Sequence, residues 1–182
     1  MIDLIKLKNI IKSIDVDLTE EDLFNFLKIK RRWPFKYTWG QSSVQILSNN
    51  GYLQSNYIFD LDGFVNFEKW KKFYDLGFTS VISNILDLND DLRNIYKQLS
   101  EATGLNINGN FYFSKPGQLA SFEPHKHNYD VIIKQIYGQS NWVIEDNKFV
   151  MKPKDTCIIK KNSIHQVIDK KEKKLSLTIN IE

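Results

Sequence analysis

The side chains most able to hold a transition metal in this chain are its histidines, and all three fall into one pattern. His125 and His127 form an H-x-H pair at the head of a strand-like run, and His165 follows behind Pro153-x-Asp155. Residues two apart on a β-strand face the same way, so the pair can bind one ion together. An imidazole returning from a later strand would complete a facial set. Such a face suits iron, copper, zinc or nickel and leaves positions open for a substrate. The bland alternative is three unrelated surface or core histidines, and the spacing favours the metal site. No Ser-His-Asp arrangement, phosphate-cradling glycine loop or pair of cysteines competes with it.

The elements that would position these residues change character along the chain. Thr19 to Asp22 reads as a capping box ahead of Leu23, Phe24, Phe26 and Leu27 at helical spacing, ended by Trp33-Pro34. Val44 to Leu47 reads as a strand, with Asn49-Asn50-Gly51 as its turn. Phe67, Trp70, Phe73 and Tyr74 line one face of a helix that stops at Gly77. Phe78 to Leu86 reads as a strand, and Asp90 to Ala102 as a helix ended by Gly104. The period then falls to two. Phe111 to Phe113, Val131 to Tyr137, Asn141 to Glu145, Thr156 to Ile159, His165 to Ile168 and Leu175 to Ile181 read as six short strands. The expectation is an α+β fold, 1–182 as a single domain, with 1–104 a mainly helical lead-in with strands, its helices packed outside, and 105–182 the β-sandwich metal-binding core.

With 182 residues, 42% apolar and 13% aromatic, the chain can bury a proper core. A formal charge of +3 is too small to imply nucleic acid. Cys157 is the single cysteine, which excludes an internal disulfide and fits a reducing compartment. No apolar run approaches the ~18 residues of a membrane span. The expected setting is therefore cytoplasmic, with a peptide or small-molecule substrate and no membrane partner. Residues 1–60 are open as a lid, a homodimer surface or a substrate platform.

The second half resembles the JmjC-type cupins, double-stranded β-helix oxygenases that include peptide and ribosomal-protein hydroxylases. The resemblance runs from Phe122-Glu123-Pro124-His125-Lys126-His127-Asn128-Tyr129-Asp130-Val131 through Gln135, Gly138 and Trp142. It continues in Pro153-Lys154-Asp155, which looks like the family's P-G-D strand, with His165 at the place of the distal metal histidine. Asn180, on the closing strand, stands where some members place an asparagine near the cosubstrate. In all, about residues 60–182 are covered. The resemblance implies a cupin core, mononuclear Fe(II) on a 2-His-1-carboxylate face, and 2-oxoglutarate as cosubstrate. Two positions depart from it. His127 stands where the family has aspartate, and Ser140 where relatives carry a lysine or arginine for the distal carboxylate of 2-oxoglutarate.

Both departures concern charge. Fe(II) with three neutral imidazoles keeps +2 rather than +1 and should hold an anionic ligand more strongly. Loss of the basic anchor removes a charge-assisted hydrogen bond of ~1.5–3 kcal/mol, so weaker 2-oxoglutarate binding is expected. Ser140, Asn180 and Tyr112 are the candidate neutral cosubstrate contacts, and a Ser140→Arg variant should tighten binding if position 140 faces the pocket. Lys115, Lys126 and Lys134 are candidate substitute cations. The lysine-rich end, Lys174 included, reads as a solvated rim guarding edge strands. Trp142 reads as core, Asp130 as a histidine orienter or a turn cap, and Asp155 as a turn residue. Three functions stay open: a 2-oxoglutarate-dependent hydroxylase of a peptide or amino-acid-like substrate, a three-histidine enzyme binding its substrate directly, and a catalytically silent metal-binding cupin.

Overall fold

Leu4, Leu7 and Ile11 recur at helical spacing behind Asp3, whose carboxylate accepts from the amides of Ile5 and Lys6, and they begin the chain with a helix. This helix, α1 (Leu4–Ser13), is hidden in the sequence by an apparent alternation of apolar residues and lysines. The computed structural model describes residues 2–31, 43–48, 51–52, 55–86, 88–105, 107–116, 123–169 and 172–182. The proline stop at residues 33–34 and the asparagines at 49–50 lie outside them.

After α1 come α2 (Glu20–Ile29), β1 (Val44–Ser48), β2 (Gly51–Tyr52), a 3-10 turn over Ser55–Ile58, α3 (Phe67–Asp75), β3 (Thr79–Ser83) and α4 (Asp90–Thr103). The strands β4 (Asn108–Ser114), β5 (Asp130–Tyr137), β6 (Ser140–Ile144), β7 (Asn147–Met151), β8 (Thr156–Ile159), β9 (His165–Asp169) and β10 (Lys174–Ile181) follow. Thr19 and Asp22 form the expected reciprocal capping box, and Gly104 ends α4 in the left-handed conformation at φ +70°. The strand expected over Asn141–Glu145 continues through a turn at Glu145 and Asp146 into β7, an edge strand whose exposed residues blur its alternation.

The described strands form two antiparallel sheets, one ordered β2-β1-β3-β4-β10-β5-β8 and the other β7-β6-β9. The strands of the lead-in, β1, β2 and β3, extend the larger sheet itself. Alternation divides the interior into two layers. Phe111, Phe113, Ile132, Leu175, Leu177 and Ile179 face the helices, where Phe113 stacks against Tyr74 and Trp70. Val131, Ile133 and Ile159 face the smaller sheet and pack with Trp142 and Met151. Residues on this inner side of β10 and β5 line the space between the sheets.

That register decides Lys134. It sits between Ile133 and Gln135 and therefore points away from the inter-sheet space. The residue is 2% exposed, and its amine donates to the carbonyls of Ile11 (2.9 Å) and Ile14 at the end of α1. Lys134 is a helix-capping cation and not a substitute anchor in the pocket.

Candidate metal centre

The histidines are brought together by backbone pairing between the two sheets. His125 and His165 form an antiparallel bridge, with N–H···O distances of 3.1 and 2.9 Å. The carbonyl of His127 accepts from the amide of Asn162 at 2.6 Å. His125 and His127 therefore lie in the segment leading to β5 rather than on a strand. Two anchoring contacts, rather than pleat alternation, aim both rings at His165.

Ring centroids are 4.3 Å apart for His125–His165, and 5.0 Å for His125–His127 and for His127–His165. One ligand nitrogen from each ring can be chosen so that all three lie within 4.8 Å of one another. Nδ1 of His125 contacts the carbonyl of Glu123, and Nδ1 of His165 that of Ser163, each at 2.9 Å. A carbonyl only accepts, so in both rings Nδ1 carries the hydrogen, and Nε2 is the nitrogen left to act as a metal ligand. Burial, reinforced by the neighbouring imidazoles, pushes the pKa of His127 down to about 4. Burial also lowers His165, partly opposed by the Ser163 carbonyl. Neutral imidazole is the metal-binding form. Three imidazole nitrogens within reach of one another, two of them on rings held by backbone carbonyls, fit a divalent transition metal such as iron, cobalt or zinc.

The same three rings wall a pocket between the sheets. Val131, Ile133, Trp142 and Val167 supply its apolar sides, and Tyr112, Lys174, Ser176 and Thr178 its polar side. Trp142 is 7% exposed and stacks near His165, so it is both core and pocket wall. Of the sequence candidates for cosubstrate contact, Tyr112 lines the pocket. Asn180 lies on the same face of β10, two residues beyond Thr178, but outside the lining. Ser140 is buried and committed: its hydroxyl donates to Gln135 Oε1 at 2.7 Å and accepts from Trp142 Nε1 at 3.1 Å. The Gln135 oxygen also accepts from Ser176 at 2.8 Å. A polar node of Gln135, Ser140, Ser176 and Trp142 thus occupies the place to which the resemblance assigns a basic anchor.

The remaining readings resolve locally. Asp130 accepts from the amide of Lys161 and caps a turn, while Asp155 accepts from the amide of Lys152. Lys115 pairs with Asp75, and Lys126 is exposed. Lys174, whose neighbours predict a solvated rim residue, is 2% exposed and lines the pocket. The signal for it was in the register. Lys174, Ser176, Thr178 and Asn180 alternate with Leu175, Leu177, Ile179 and Ile181, so this lysine begins an inward-facing polar row.

The sequence model of the JmjC domain matches residues 83–180, more than half of the chain. Among solved structures, YcfD, a ribosomal oxygenase from Escherichia coli, superposes over 92% of this chain at TM-score 0.59 and 12% identity. Its complex with cobalt and succinic acid superposes over the same share at TM-score 0.61. This chain spans 44% of the length of YcfD. The plu4264 protein of Photorhabdus luminescens is 30% identical over 44% of this chain and 68% of its own, at TM-score 0.38. No curated protein matches the sequence. Among the described residues no helix is long and apolar enough to cross a membrane.

Proposed function

The chain belongs to the JmjC domain family of metal-dependent oxygenases, and from that premise we propose that it is a mononuclear Fe(II) enzyme with His125, His127 and His165 as its protein ligands. It hydroxylates a peptide or amino-acid-like substrate with 2-oxoglutarate as cosubstrate. The observation that carries this reading is the convergence of three imidazoles, two of them held by backbone carbonyls with Nδ1 as donor, on one side of a pocket between the sheets. The cobalt and succinic acid bound by YcfD support the pairing of a metal with a dicarboxylate in this fold.

The bound iron would supply oxygen activation and Lewis acidity. The residues of the chain divide the remaining work. The carbonyls of Glu123 and Ser163 hold two ligand rings in the tautomer that leaves Nε2 free. Val131, Ile133, Trp142 and Val167 keep the neighbourhood apolar, which strengthens every polar contact made there and limits water. Tyr112 and Thr178 place hydroxyls along the pocket wall, whereas the Ser176 hydroxyl is committed to Gln135.

His127 favours a second reading, a three-histidine enzyme that binds an anionic substrate directly, because the ligand set lacks the carboxylate that would lower the charge of the site. Anaerobic titration of the Fe(II) protein with 2-oxoglutarate separates the two. A visible charge-transfer band, followed in air by succinate formation, is expected. Oxygen consumption with a metal-binding substrate but no succinate would replace the first reading by the second. Unchanged metal affinity in His125→Ala, His127→Ala and His165→Ala would overturn both.

A further inference from the structure

The proposed metal centre occupies one end of the pocket, and the residues at the other end select what reaches it. Along β6, Ile144 pairs with His165 while Ser140 lies four residues away, about 13 Å at ~3.3 Å per residue. Along β10, Asn180 and Thr178 pair with Val131 and Ile133 near the histidines, whereas Lys174 begins the strand at the far end. The pocket is therefore elongated, with imidazoles at one end and Lys174 toward the other. Among the described lining residues Lys174 is the one lysine or arginine.

A second observation marks the same end. Ser114 pairs directly with Lys174 across β4 and β10, so the two side chains are neighbours on the inward face. Ser114 is fully buried, and its hydroxyl has no hydrogen-bond partner among the described residues. A buried hydroxyl beside a desolvated cation is a site for an acceptor carrying negative charge.

We propose that Lys174, assisted by the Ser114 hydroxyl, binds the distal carboxylate of an elongated dicarboxylate whose other end meets the metal. Lys174 thereby takes over from a different strand the role that Ser140 cannot fill. This rests on the reading of the three histidines as a metal centre. The lengths agree: a lysine stem reaches roughly 6 Å from its backbone, and an extended five-carbon diacid spans about 5 Å at ~1.5 Å per bond. Together they cover most of the distance between the two ends. The ligand class selected is a five-carbon 2-oxo diacid in preference to a 2-oxo acid of equal length with an uncharged tail.

The test is anaerobic calorimetry on the cobalt-loaded full chain with 2-oxoglutarate and with 2-oxovalerate, which matches it in length but ends in a methyl group. Cobalt content is measured separately for each protein. Wild type is expected to bind 2-oxoglutarate at least tenfold more tightly than 2-oxovalerate. Lys174→Met should bring that ratio to within about twofold while leaving 2-oxovalerate affinity and cobalt content unchanged, and Lys174→Arg should retain a preference for the diacid. Equal affinities in cobalt-loaded wild type, or binding of neither acid, would overturn the inference without reference to any variant and leave the metal reading standing. A preference that survives Lys174→Met would overturn it as well. Failure of wild type to take up cobalt would remove the metal reading, and this inference with it.

Discussion

Replacing Lys134 by methionine isolates the contribution of one buried cation to the joint between helix and sheet. The variant keeps the apolar stem and removes the amine that donates to the carbonyls of Ile11 and Ile14. Hydrogen bonds from a charged donor contribute ~1.5–3 kcal/mol each, so about 3–6 kcal/mol of favourable interaction disappears. Against this stands relief of desolvation, the first cause of the lowered pKa of Lys134, which is opposed by nearby Asp15. Burying an ammonium costs several kcal/mol, so the two terms largely offset. The balance is decided by the two carbonyls left without their donor, at ~1–3 kcal/mol for each buried acceptor, so a net loss of about 2–6 kcal/mol is expected. For a domain of this size that lowers Tm by about 4–24 °C, at ~2–4 °C per kcal/mol. Thermal unfolding followed by circular dichroism measures the shift, and metal content should stay at the wild-type value because Lys134 faces away from the pocket. A Tm equal to or above wild type would refute the argument by showing that the buried charge costs more than its two bonds return. A loss of metal would refute the placement of Lys134 on the helix side of the sheet.

Three further outcomes follow from the same geometry. In metal-free protein, His127 takes its proton near pH 4, whereas the unfolded chain does so near 6.5. The unfolded state therefore binds more protons between these values, and stability is full above pH 6.5 and declines as pH falls toward 4. Tm of chelator-treated protein should drop between pH 7 and pH 5, and His127→Asn should flatten the drop. Gly138→Ala should be severely destabilising, because φ is +69° and the new methyl group would stand 1.9 Å from the carbonyl oxygen of Lys173; soluble yield and Tm report it, and a wild-type melt would contradict the placement of that turn. Ser140→Arg should lower Tm without tightening 2-oxoglutarate binding, since a buried hydroxyl held by Gln135 and Trp142 leaves a guanidinium no room.

The parts of the fold legible in the sequence are those where one periodicity acts alone. Thr156 to Ile159 alternates between two buried layers, and its bounds were readable residue for residue. The cap at Thr19 and the glycine after α4 marked helix ends through local chemistry that tertiary packing does not override. Helix α1 carries a mixed local signal, because the stretch Ile5-Lys6-Leu7-Lys8 alternates apolar residues with lysines, and its packing against α4 and β8 shows which period operates. The three histidines could be grouped by type and spacing, but not the means of grouping them. The bridge from His125 to His165 joins residues forty apart and leaves no local trace. Lys174 was obscured by the charged residues around it, since a run of lysines looks solvated until strand register turns one of them inward.

The bridge between His125 and His165 has a mechanical consequence. One ring stands at the entry to a strand of the larger sheet, the other on the first residue of an edge strand of the smaller, and the two sheets meet there like covers at a clasp. Without an ion, the clasp consists of two backbone hydrogen bonds. An ion shared by the three imidazoles fastens the covers directly, and its binding free energy adds to the cost of parting them. Chelation should then speed hydrogen exchange first along β9 and β6, while the helix-backed strands β4 and β10 retain their protection. Metal loading would set how far the sandwich opens as well as what chemistry it performs.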